Sequence, residues 1–82
     1  RMSRQTGFIR IQYAGSLSEE LREYLAGARG VEATSVQPLV LRTAVPDQVL
    51  GAITPYLRGG AMQVERIQLR NPGFDHVEVN AA

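Results

Sequence analysis

The hydrophobic period of this chain switches twice from two residues to nearly four, and each switch is followed by a return to strand-like spacing. Gly7 to Ala14 reads GFIRIQYA, with Ile9, Ile11 and Tyr13 alternating against Arg10 and Gln12. Alternation among β-forming residues marks a strand with one buried face. Gly15 breaks it. Leu17, Leu21, Tyr24, Leu25 and Ala28 then recur at helical spacing as one apolar stripe, opposite Glu19, Glu20, Arg22 and Glu23. Ser16-Leu17-Ser18-Glu19 reads as a capping box, a serine hydroxyl taking a free N–H while the glutamate reaches back, which predicts a helix opening at Ser16. Gly30 supplies the left-handed residue wanted at its end.

Val31 to Val36 (VEATSV) and Leu39 to Ala44 (LVLRTA) follow as two extended runs joined by Gln37-Pro38, the spacing of a hairpin. Proline has no N–H to give a ladder, so Pro38 belongs to the turn or the first position of the second run. Leu39 and Leu41 are expected inward and Arg42 outward. Pro46-Asp47 opens a second helix, proline suiting its first position and aspartate its positive end. Pro46, Val49, Leu50, Ile53 and Leu57 form the buried stripe. Pro55 would clash with the carbonyl of Gly51 inside a helix, so the backbone either bends there or stops being α-helical near Thr54. Gly59-Gly60 closes the segment.

Met62 to Arg70 (MQVERIQLR) is the last long strand. Val64 is out of phase with Ile67 and Leu69, which calls for a bulge or for a strand beginning at Glu65. Asn71-Pro72-Gly73 is a turn. Phe74 to Val79 is a tail that fits a helical turn or an extra edge strand. The order β-α-β-β-α-β predicts an α+β, ferredoxin-like fold, a four-stranded antiparallel sheet with two helices on one face. An αβ plait with another strand order uses the same elements. With 82 residues there is room for one core, hence a single domain over 1–82, with 1–6 a flexible N-terminal segment and 72–82 a C-terminal tail. At about 0.05–0.15 kcal/mol per residue its stability should be about 4–12 kcal/mol.

Composition removes several kinds of chemistry. Without cysteine there are no disulfides, thiolate nucleophiles or zinc-thiolate sites, and His76 is the single histidine. All nine cations are arginine, so a GxxxxGK[ST] phosphate loop is absent. Nine basic against eight acidic residues leave a net charge of +1, too little to argue for nucleic acid. Glu19–Glu20 sits in a helix's opening turn, where acids stabilise the dipole, and Asp75 with Glu78 suits a terminal turn. His76 reads as a polar histidine near the chain end rather than a general base. Arg10, Arg42, Arg66 and Arg70 all fall on strands, giving a basic sheet face. Without aromatics on the third strand to stack bases, that face reads as a solvated one. No apolar run approaches the roughly 20 residues of a membrane span, and Arg1 to Thr6 lack the apolar stretch of a signal peptide. A start at Arg1 rather than at a methionine is what a fragment or a tag remnant would look like.

Gly30-Val31-Glu32 at the hairpin entry, Val64-Glu65-Arg66-Ile67 in the last strand and Arg70-Asn71-Pro72-Gly73-Phe74-Asp75-His76-Val77 at the close together resemble a known pattern. It is that of the C-terminal accessory domain following the nucleotide-binding domain in ATP-binding subunits of ABC transporters of the drug-export kind. Phe74 stands in the family's leucine position and Asp75 in its acidic one, whereas Glu78 replaces the usual phenylalanine. The resemblance implies a non-catalytic interaction or regulatory domain that helps subunit pairing or modulates the ATPase, with a short helical end. It places the working surface around Phe74, Asp75, His76 and Val77. It implies no catalytic, cofactor or metal site in this segment, ATP and magnesium belonging to the parent's nucleotide-binding domain. Partners would be that domain, the membrane permease and a second copy, at the cytoplasmic face of the membrane, with no nucleic acid. An ACT-like module binding a small effector near Gly15-Ser16 is the alternative. A small ferredoxin-like enzyme and an RNA-binding sheet follow behind it.

Overall fold

A computed structural model of the chain describes residues 6–58, 61–72 and 76–80. Its elements run β1 (Gly7–Gly15), α1 (Glu19–Gly27), β2 (Val31–Val36), β3 (Leu39–Thr43), α2 (Pro46–Ile53), a 3-10 turn (Thr54–Leu57), β4 (Met62–Arg70) and β5 (His76–Asn80). The first four strands lie in the ferredoxin-like order β2-β3-β1-β4, all antiparallel, and β5 adds a fifth strand outside β4. The fold is α+β, as the period changes predict.

The alternation in β1 sorts its residues as expected: Ile9, Ile11 and Tyr13 are buried, Arg10 is exposed. They meet Leu39 and Leu41 of β3, Ile67 and Leu69 of β4, Leu21 of α1, and Val49 and Ile53 of α2 in one core. Tyr24 of α1 packs its ring against Tyr56 of the 3-10 turn, centroids 5.8 Å apart and tilted by 36°, which ties the two helical segments together. α2 ends at Ile53 and the chain tightens into the 3-10 turn. This is the second of the two outcomes Pro55 allows, the α-helix stopping near Thr54, since proline has no N–H to offer the Gly51 carbonyl as an i+4 partner. Thr54 Oγ1 donates to the Leu50 carbonyl at 2.6 Å and covers part of that end.

α1 opens two residues later than the capping-box reading. Ser18, not Ser16, is the N-cap, its Oγ accepting from the Leu21 N–H at 3.3 Å. Ser16 is already engaged, because its N–H donates to the carbonyl of Ala61 at 3.3 Å and prolongs the β1–β4 pairing. Leu21 therefore occupies the third helical position and no reciprocal glutamate exists. At the other end Gly27 is the last helical residue, and Gly30 takes up its left-handed φ of 75° in the turn into β2.

Val64 joins the core through a bulge rather than a late strand start. Gln12 pairs with Arg66 and Tyr13 with Val64, so Glu65 is the extra residue. The bulge absorbs the extra residue, so Met62 and Val64 stay on the side of Ile67 and Leu69. A second bulge at Thr34 interrupts β2 between Ala33 and Ser35. Residues 76–80 take the edge-strand form of the two the tail allows, and not the short helical end that the resemblance implies. Among the described residues no helix is long and apolar enough to cross a membrane.

Candidate functional site

Side chains alternate across a strand, so burying Ile9, Ile11 and Tyr13 against the helices sends Phe8, Arg10 and Gln12 to the other side of the sheet. β3 does the same, with Leu39, Leu41 and Thr43 buried, Arg42 exposed and Val40 half-buried. So does the distal half of β4, where Ile67 and Leu69 face inward and Gln68 and Arg70 outward. Antiparallel register then aligns these outward positions into rows. Phe8 of β1 stands opposite Arg42 on one neighbour and Arg70 on the other, and Arg10 stands opposite Val40 and Gln68.

The result is a concavity of about 660 Å³ on the face away from the helices, whose walls include Phe8, Arg10, Pro38, Val40, Arg42 and Arg70. Strands lie about 4.8 Å apart, so Arg42 and Arg70 flank Phe8 with their backbones about 10 Å from each other, and Arg10 lies about 7 Å further along β1. Thr6 accepts a hydrogen bond from Arg42 Nη2 at 3.3 Å and holds that guanidinium at the rim. Among the described residues neither Arg10, Arg42 nor Arg70 forms an ion pair; the salt bridge of α1, Arg22 Nε to Glu19 Oε1 at 3.8 Å, is elsewhere and exposed. Arginine stays protonated in proteins, so such a group binds and orients anions and does not shuttle protons.

The basic sheet face expected from Arg10, Arg42, Arg66 and Arg70 thus exists in register. Three of its members close around one hollow, and Arg66, opposite Gln12, lies one pair further along. Reading that face as merely solvated missed the concavity. Its signal was present in the phase of Arg10, Arg42 and Arg70 against their buried neighbours. Of the surface expected around the closing motif, Phe74 and Asp75 lie outside the described residues. His76 and Val77 begin β5, at the register positions of Arg70 and Leu69. Among the described residues no three His, Cys, Asp or Glu gather as a metal site would require.

At the opposite end of β1 a smaller hollow, about 230 Å³, is lined by residues including Ser16, Ser18, Glu19 and Arg58. Gly15, the residue before Ser16 in the chain, has φ 89° and lies so close to Ala61 that a Cβ would collide with its carbonyl oxygen. Comparison with models of protein families, with curated proteins and with solved structures gave no match to this chain.

Proposed function

We propose that the chain is a non-catalytic interaction and regulatory domain of the kind attached to ATP-binding subunits of drug-export ABC transporters, where it helps subunits pair or modulates the ATPase. The observation that carries this reading is the open edge at β2. Among the described residues that strand pairs with β3 alone, most of its residues are exposed, and it ends on Val36, an apolar side chain 58% exposed. An outer row of backbone N–H and C=O groups beside an exposed valine is a template for another chain. The Thr34 bulge limits regular pairing to the Val31–Ala33 stretch, which suits a partner that docks briefly. The element order and the closing motif support the family, with the nucleotide-binding domain, the permease and a second copy as partners at the inner face of the membrane.

Two measurements test this. Light scattering during size-exclusion chromatography should show self-association rising with concentration and abolished by Val36→Glu; a monomer throughout would remove pairing of copies through β2. The gene upstream of the Arg1 codon should encode a Walker loop and an ABC signature motif, and an unrelated upstream sequence would remove the transporter assignment.

The hollow at the β1–α1 junction favours the second reading, an ACT-like effector domain, because Ser16 lines it, beside Gly15, where such a ligand is expected. Scanning fluorimetry against an amino-acid panel distinguishes the two, since a ligand bound by the native state raises the melting temperature.

A further inference from the structure

We infer that the arginine-walled concavity on the open face of the sheet is a binding site for a phosphate-bearing small molecule of about nucleotide size. Three observations converge on it. The guanidinium groups of Arg42, Arg10 and Arg70 come from three neighbouring strands, β3, β1 and β4, so the sheet's own hydrogen bonding holds their spacing before any ligand arrives. Their forks match phosphate oxygens bidentately. The flanking acids among the described residues, Glu32 opposite Arg42 in register and Glu65 in the groove beside Arg10, form no ion pair with them. Three cations brought together this way repel one another, and an anion in the hollow relieves that repulsion.

Size and lining narrow the occupant. About 660 Å³ falls within the range of small-molecule sites, roughly 300–1,000 Å³. Pro38 and Val40 form an apolar wall beside the arginines, and Phe8 lies between Arg42 and Arg70. A ligand with two or more phosphates and a flat apolar body fits both kinds of surface, phosphates on the guanidinium groups and the body along Val40 and Pro38. An extended nucleic-acid strand would instead want a basic track with stacking aromatics at successive positions. β3 offers Val40 and Arg42 and no aromatic.

Isothermal titration calorimetry of the 82-residue chain with ADP, pyrophosphate, adenosine and a (dT)8 oligonucleotide tests the assignment. The expected result is one-to-one binding of ADP and of pyrophosphate with no heat from adenosine. Arg42→Gln and Arg70→Gln should each weaken ADP binding about tenfold or more, the loss typical of a hydrogen bond to a charged group. Arg42→Lys, which keeps the charge and loses the fork, should also weaken it, whereas Arg29→Gln, in the turn before β2, should not. All three rim side chains are exposed, so unchanged melting temperatures should accompany the losses. Absence of ADP binding at millimolar concentration overturns the proposal, as does an Arg29→Gln effect equal to that of Arg42→Gln. Binding of (dT)8 without ADP also overturns it and makes the face a strand-binding one. None of these outcomes bears on self-association through β2.

Discussion

The hydroxyl of Tyr13 donates a 2.8 Å hydrogen bond to the carbonyl oxygen of Val36, joining β1 to the end of β2 although β3 lies between them. It can do so because the β1–β3 register stops at Ile11 opposite Leu39. Beyond that point the hairpin turn takes the place of a strand: Gln37 Nε2 donates back to the Tyr13 carbonyl at 3.1 Å. The two bonds clamp the end of the hairpin onto the central strand. Tyr13→Phe keeps the buried ring and removes one of them, so urea unfolding should show a loss of about 0.5–1.5 kcal/mol. With about 4–8 °C per kcal/mol for a domain of this size, the melting temperature should fall by several degrees. An unchanged midpoint would show that water replaces the hydroxyl at no cost.

Gly15 and Gly30 both have positive φ, 89° and 75°, but their surroundings differ. A Cβ at Gly30 meets open space, and one at Gly15 runs into the carbonyl of Ala61, the residue before β4. Gly30→Ala should therefore cost only the backbone penalty, about 1–2 kcal/mol. Gly15→Ala should cost clearly more, by the added displacement of β4, and equal losses in the two variants would refute the close approach.

Gly51 offers the reverse case. It is exposed within α2, has no neighbour that a Cβ would meet, and its φ is not positive. Gly51→Ala should stabilise the domain by about 0.5–1 kcal/mol, through helix propensity and a less flexible unfolded chain. A thermal melt showing no gain would mean that α2 contributes little to the cooperative unit.

The bulge at Glu65 makes a sharper claim. Deleting that one residue makes Val64 and Arg66 direct neighbours and leaves a regular ladder, with Met62 and Val64 still on the side of Ile67 and Leu69. Met62, 4% exposed, should therefore keep its burial. Circular dichroism should show a cooperative transition near the parent temperature both in the deletion and in Glu65→Ala. A broad, early transition in the deletion alone would mean that the local twist of the bulge, and not only the facing of Met62 and Val64, supports the core.

Local patterns carried most of the architecture. Ile9, Ile11 and Tyr13 marked a strand, Leu17, Leu21, Tyr24 and Leu25 a helix, and Val64 announced its own bulge by being out of phase. The N-cap was misplaced by two residues because Ser16 and Ser18 are equally good caps in isolation, and only the Ala61 carbonyl, far along the chain, occupies the first of them. The tail permitted two conformations, and its pairing with β4 selects one.

The sequence by itself determined the first four strands and two helices, their order, and the buried positions of β1, β3 and the distal half of β4, since period acts between residues a few positions apart. Tertiary structure decided which strands are neighbours, where Glu65 slips the register, and that Arg10, Arg42 and Arg70 close around a single hollow with Phe8 between two of them. The β1–β3 and β1–β4 pairings behind those relations join residues 28 to 62 positions apart, and the cross-strand hydrogen bonds that create them exist only once the sheet has formed.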